Sequence, residues 1–182
     1  MTIPSTLLTG GRQVVALTGN PRPGSRTAAA AQATAAYLGT ALDLSPADPI
    51  DLSDLAPELL APEHPRADRA LTAAAHAAVL VVATPVHKAS FTGLLKAFLD
   101  LYGPRGLAGV VAVPLVIPGD PAHALVGEHH LRPVLVELGA VLPTRSLVIT
   151  AGQLTALDDH LDAWWSTEGP ALRRAVPLEV TR

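Results

Sequence analysis

The chain has 182 residues, of which 49% are apolar but only 3% aromatic, and its 13 basic and 16 acidic residues give a formal charge of -3. That length suits one compact domain with a core of Ala, Val and Leu, and the charge offers no cationic face for tracking nucleic acid. The absence of cysteine excludes disulfides, thiolate metal sites and thiol redox chemistry, so any redox work needs a bound cofactor.

Residues 1–12 lack a basic segment followed by a long apolar run and read as a lead-in rather than a signal peptide. The expected domain spans 13–175, with a tail at 176–182. Asp, Lys, Pro or His interrupts every apolar run before the roughly 18–20 residues that a membrane span needs, so a cytoplasmic protein is expected. The first strand is Gln13 to Thr18, an apolar run ending at Gly19 and Pro21. An Ala-dominated helix follows from Thr27 to Leu38, with Gly39 as its stop. A brief second strand is expected over Ala41 to Leu44, and then five prolines from Pro46 to Pro65 punctuate an irregular connection.

Helical spacing resumes over Asp68 to Ala77, and Ala78 to Ala83 is the clearest buried strand, halted by Thr84-Pro85. Next come a helix from Thr92 to Leu101 and a strand from Gly109 to Ile117. Pro114 removes a ladder donor, so that strand must be irregular or keep its proline nitrogen on an unpaired side. A helix over Pro121 to Leu138, a strand over Val141 to Ile149 and a partly helical stretch from Leu154 to Ala175 complete the chain. Trp164 and Trp165 are available to pack on the domain or on another subunit. This alternation predicts a doubly wound α/β fold with a five-stranded parallel sheet in the order 2-1-3-4-5, helices on both faces, and a ligand at the carboxyl ends of the strands.

The loop from Gly19 to Thr27 joins backbone freedom and two guanidinium groups to small hydrogen-bonding side chains directly before a helix. Those are the parts of a phosphate cradle, with the helix N-terminus attracting an anion and Ser25, Thr27, Arg22 and Arg26 adding hydrogen bonds. The alternative is a Gly/Pro turn whose arginines face water and whose Ser25 caps the helix. The loop is neither a G-x-G-x-x-G fingerprint nor a P-loop, so a monophosphate is the better match.

A second loop, Thr84-Pro85-Val86-His87-Lys88-Ala89-Ser90-Phe91-Thr92-Gly93, is more specific. Together with Gly19 to Thr27, Gly93 to Leu101, Pro121 to His123 and Leu131 to Leu135, it resembles the NADPH-dependent FMN reductases. The nearest likeness is to those that supply alkanesulfonate monooxygenases in two-component systems, and it covers roughly residues 13–150. The resemblance implies a flavodoxin-like domain that passes a hydride from NADPH or NADH to FMN and hands reduced FMN to a partner monooxygenase. It implies that Asn20, Arg22, Ser25, Arg26 and Thr27 hold the phosphate. Pro85, Val86, His87 and Lys88 would flank the flavin ring, with Gly119 and Asp120 after the fourth strand. Lys88 would favour the anionic reduced flavin electrostatically.

The resemblance also implies a homo-oligomer, dimer or tetramer. Some members carry an extra residue in the helix after the fourth strand, which makes a π-bulge at a subunit interface, and His129 stands at the matching place. Two departures stand out. His87 replaces a usual tyrosine, and Ile117-Pro118-Gly119-Asp120 replaces a Thr-Gly-Gly-like turn, so Pro118 removes one N–H from the flavin's side. Rival readings are an FMN-retaining quinone or azo reductase and a non-catalytic flavin-binding protein. His123 and His130, seven apart, share a helix face with Glu128 and His129 nearby. A metal wants three or four ligands with ordered partners, so no metal is expected there, only a solvated or subunit-packed face.

Overall fold

The computed structural model describes residues 13–176; the expected lead-in and all of the expected tail after Val176 lie outside the described residues. Strand β1 (Gln13–Thr18) is followed by helix α1 (Arg26–Leu42), the short strands β2 (Ser45–Pro46) and β3 (Ile50–Asp51), and helix α2 (Pro65–Ala75). Then come β4 (Val79–Pro85), α3 (Gly93–Leu99), β5 (Val111–Ile117), α4 (Arg132–Glu137), β6 (Leu147–Val148) and α5 (Leu157–Ala175). All named strands pair in parallel, in the order β2-β1-β4-β5-β6, with β3 also on β1.

β2 meets the start of β1, at Gln13 and Val14, and β3 meets its end, at Leu17 and Thr18. The two are halves of one interrupted edge strand, and merging them restores the order 2-1-3-4-5. The strand expected at Ala41 to Leu44 is displaced, because the helix runs on to Leu42 and pairing begins only at Ser45. Ala and Leu extend a helix at little cost, whereas Pro46 is tolerated at a sheet edge. Gly39 is likewise not a stop. A Cβ there would stand 2.9 Å from the Leu44 carbonyl oxygen, so this glycine lets the returning chain cross the helix. The helix ends instead at Asp43, whose φ of 56° is left-handed and whose N–H donates to Gly39.

Side chains alternate between the two faces of the sheet. Val15, Leu17, Leu80, Val82 and Ala112 pack against α2, α3 and α4 through Leu71, Phe98 and Leu135. Val14, Ala16, Val79, Val81 and Val113 pack against α1 and α5 through Ala31, Leu38, Leu161 and Leu172. Alanines on α1 let that helix sit close to the sheet, which is how a core poor in aromatic rings still fills its volume. Trp165 packs edge-on against Tyr37 at 6.2 Å under the Arg173 guanidinium, and Trp164 donates to the Arg145 carbonyl, so both tryptophans serve the domain itself.

Pro114 lies inside the fully buried β5, opposite Val82 of β4. Ala112 N–H donates to Val141, and the Val116 carbonyl accepts from Ile149, so even-numbered residues of β5 face β6. The Pro114 nitrogen therefore points between the isolated Val141 bridge and Leu147, where the ladder is interrupted. The strand expected over Val141 to Ile149 breaks in the same interval. The Leu142 and Thr144 carbonyls accept from Arg132, and the Ser146 N–H donates to Glu128 at 2.6 Å, so this backbone bonds side chains instead of β5.

The single helix expected over Pro121 to Leu138 is three pieces: a 3-10 turn at Pro121–His123, a π-helix at Gly127–Leu131, and α4. Pro133 accounts for the boundary between the π-helix and α4. It cannot donate to the His129 carbonyl and its ring crowds that oxygen. The turn widens one step upstream, where the Arg132 N–H reaches the Gly127 carbonyl.

Candidate functional site

Four strands of the sheet release their chains at one edge, and the loops after β1, β4, β5 and β6 enclose a cleft of about 420 Å³ there. Its polar end is the first loop, Asn20, Arg22, Pro23, Gly24, Ser25, Arg26 and Thr27. Its other end is Pro85, Val86, His87, Ile117, Pro118, Gly119 and Ala151, largely apolar. The volume lies within the usual range for small-molecule sites, roughly 300–1,000 Å³.

The first loop is held by its own side chains. Asn20 Oδ1 accepts from the Arg22 N–H at 3.0 Å, Asn20 Nδ2 donates to Thr27 Oγ1 at 3.1 Å, and Gly24 turns the chain at a φ of 60°. Ser25 caps α1, its Oγ accepting from the Ala28 N–H at 3.1 Å. The amides of Arg26 and Thr27 precede that bond and have no acceptor within the helix. No acidic residue occupies the first turn, no carboxylate lines the cleft, and the exposed Arg22 and Arg26 form no ion pair among the described residues. Cations, free amides and the positive end of a 17-residue helix thus converge on this end, which fits a phosphate-sized anion.

The loop is also tied to the sheet and to α3. Gly19 N–H donates to the Ala83 carbonyl at 2.8 Å, and the buried Thr92 hydroxyl donates to the Gly19 carbonyl while accepting from the Leu95 N–H at 3.1 Å. A Cβ on Gly19 would lie 2.6 Å from Leu95 Cβ, so only glycine permits this approach. Thr84 Oγ1 donates to the Pro85 carbonyl at 2.9 Å and accepts from the Thr92 N–H at 3.3 Å, which joins the second loop to the same joint.

After Pro85 and Val86 the second loop folds into a minimal hairpin. His87 and Ser90 exchange both backbone hydrogen bonds, at 2.9 and 3.1 Å, around Lys88 and Ala89, whose φ values are 52° and 60°. Two consecutive positive φ angles are the pattern of a type I′ turn, made here without glycine.

Nine of the eleven sequence-derived candidates, Asn20, Arg22, Ser25, Arg26, Thr27, Pro85, Val86, His87 and Gly119, line the cleft together. Lys88 and Asp120 do not. Lys88 sits at the exposed hairpin tip, and Asp120 accepts from the Ala122 N–H at 2.8 Å as the cap of a 3-10 turn. Pro118 is buried in the lining and offers no N–H. Ala151 and Ile117 were missed as site residues, although both follow from the end of an apolar run at a carboxyl-side turn. Thr92 was missed too, and only its side-chain partners reveal it.

His129 lies in the π-helix and is exposed. Glu128 turns inward to Arg132 and Ser146. Burial alone would raise the Glu128 carboxyl, but the hydrogen bonds from Arg132 and Ser146 outweigh it and bring its pKa down to about 2. Among the described residues no group of three or more His, Asp or Glu side chains is placed to hold a metal, and no helix is long and apolar enough to cross a membrane.

Residues 12–154 match the family described as NADPH-dependent FMN reductase. The chain is 40% identical over 100 residues to the FMN reductase (NADPH) of Escherichia coli K12, a match spanning 47% of this chain and about half, 52%, of that protein. It is 35% identical over 172 residues to the NADH-dependent FMN reductase SfnE of Pseudomonas putida, covering 91% of each. Among solved structures, the apo form of the NADH:FMN oxidoreductase EMOB superposes with a TM-score of 0.82 at 34% identity over 93% of this chain and 92% of that one. An oxidoreductase from Corynebacterium diphtheriae shares the fold, with a TM-score of 0.78 at 24% identity over 91% and 96% of the two chains. The same parallel sheet, with a cleft at its carboxyl edge, makes this a flavodoxin-like protein, and the chain belongs to the NADPH-dependent FMN reductase family.

Proposed function

We propose that this chain is a flavin reductase that uses NADPH or NADH to reduce FMN in the cleft and releases reduced FMN to a partner monooxygenase. One observation carries the reading: a single cleft is lined by the arginine-bearing loop and free amides at the start of α1 and by a proline-rich, largely apolar set of residues from the other loops. FMN has that division, a phosphate at one end and a flat ring at the other, and when bound it supplies the two-electron acceptor. Arg22, Arg26 and the first-turn amides of α1 hold the phosphate. Pro85, Val86 and His87 wall the ring's face, and the stiff prolines keep that wall in place before the nucleotide arrives. The protein's work is then positioning and exclusion of water, with no side chain needed as proton donor.

Pro118 favours release over retention. It closes the apolar end without contributing a backbone donor, so the ring is held by contact more than by hydrogen bonds. The purified chain should oxidise NADH or NADPH anaerobically when FMN is added, and should lose FMN on gel filtration. Replacing Arg22 and Arg26 together with Ala should raise KM for FMN by about 10-fold or more, as expected from losing two charge-assisted bonds, with kcat much less affected. No oxidation of either nucleotide would sink the proposal, and tightly retained FMN would favour a quinone or azo reductase instead. Sedimentation tests the proposed homo-oligomer, for which a monomer alone at all concentrations would be contrary.

A further inference from the structure

The hairpin at the cleft wall is built from unfavourable parts. Lys88 and Ala89 both have positive φ, at 52° and 60°, where a side chain costs about 1 kcal/mol or more per residue, yet the turn closes tightly through the His87–Ser90 pair. Its base is held by the Thr84–Thr92 bond, and a contact outside the turn would hold it further. The contact on its far side is His130, whose Nδ1 shares a hydrogen bond of 3.0 Å with Ser90 Oγ across 40 positions of sequence.

His130 lies in the π-helix. Two positions along a helix are about half a turn, so the residue midway between Glu128 and Arg132 faces the opposite side. Glu128 and Arg132 accordingly share one side and grip the backbone at Leu142, Thr144 and Ser146. His130, midway between them, points away from that clamp toward the hairpin. Between the hairpin tip and this helix lies a smaller hollow of about 170 Å³, so apart from the imidazole bridge the two elements are loosely packed there.

Resting on the FMN-reductase reading for its consequence, we infer that His130 is a positioning residue: through Ser90 it latches the Pro85–His87 wall of the cleft to the π-helix. It touches neither end of the cleft itself. Loss of the latch should free the strained turn to relax outward and carry the wall with it.

Two measurements test this. The first needs no flavin: Lys88 stands at the exposed tip, so limited trypsin cleavage after it reports opening of the hairpin in the chain as purified. His130→Ala and Ser90→Ala should each be cut there about 3–10 times faster than wild type, the double variant no faster than either single, and His130→Asn, which places a polar atom near the Nδ1 position, should restore slow cutting. Equal cutting of wild type and both single variants, or multiplied effects in the double variant, would overturn the latch. The second measurement is steady-state kinetics: each alanine variant should raise KM for FMN about 3–10-fold with kcat changed less than about twofold. A purely structural loss would lower the apparent kcat through a smaller folded fraction, leave KM for FMN unchanged and resist rescue by Asn, and that result overturns the inference. Failure of wild type to turn over FMN would count against the function proposed above, while the cleavage comparison still decides the latch.

Discussion

Replacing Thr92 with Val removes one hydroxyl and almost no volume. That oxygen is buried at 2% exposure, caps α3 by accepting from the Leu95 N–H, and donates to the Gly19 carbonyl at the mouth of the first loop. Loss of an N-cap costs about 1 kcal/mol. A buried carbonyl left without its donor costs about 1–3 kcal/mol more. Because Val keeps the β-branch and the shape, no cavity is added, and the sum is about 2–4 kcal/mol. For a domain of this size that corresponds to a fall in Tm of roughly 5–15 °C, read by urea unfolding and by a thermal melt. Thr92→Ser keeps both hydrogen bonds and should lose less than about 1 kcal/mol. FMN affinity should fall in the Val variant as well, since the Gly19 carbonyl is one of the first loop's anchors. A Val variant within about 0.5 kcal/mol of wild type would refute the view that Thr92 joins the two loops.

Ala89→Gly should stabilise the free protein by up to about 1 kcal/mol, because glycine occupies positive φ without penalty, and a lower midpoint in urea would contradict the turn assignment. Gly127→Ala should destabilise by about 1–3 kcal/mol in the same assay. The added methyl meets Ser146 Oγ at 2.5 Å and Val116 Cγ2 at 3.0 Å, and Glu128 prevents Ser146 from withdrawing. Acid unfolding tests the Glu128 clamp. Its folded pKa, about 2, lies below the ordinary 4.5, so its contribution is complete above pH 4.5, declines as the pH drops and is gone once the carboxylate is protonated near pH 2. Glu128→Gln should therefore lower stability at pH 7 and flatten the fall in stability between pH 4.5 and 2, and an unchanged acid limb would show that the pair contributes nothing.

The three central strands and the place of the site were legible in the local pattern of residues. Gln13 to Thr18, Ala78 to Ala83 and Gly109 to Ile117 are short apolar runs bounded by turn residues, the pattern of parallel strands buried on both faces, and their carboxyl ends carry the Gly/Pro loops that line the cleft. Periodicity and turn chemistry are local, so they can be read from neighbouring residues. The tertiary structure alone decided features in which a local preference competes with a distant partner. Gly39 reads as a stop, but it serves the crossing of Leu44. Val141 to Ile149 reads as a strand, but Arg132 and Glu128 take its backbone partners. Lys88 reads as a cleft residue, but the left-handed turn lifts it to the hairpin tip. Thr92 reads locally only as a helix cap and His130 only as part of a histidine cluster, because the further role of each runs through a bond to a residue 73 or 40 positions away, and such a bond exists only after the sheet has brought the loops together.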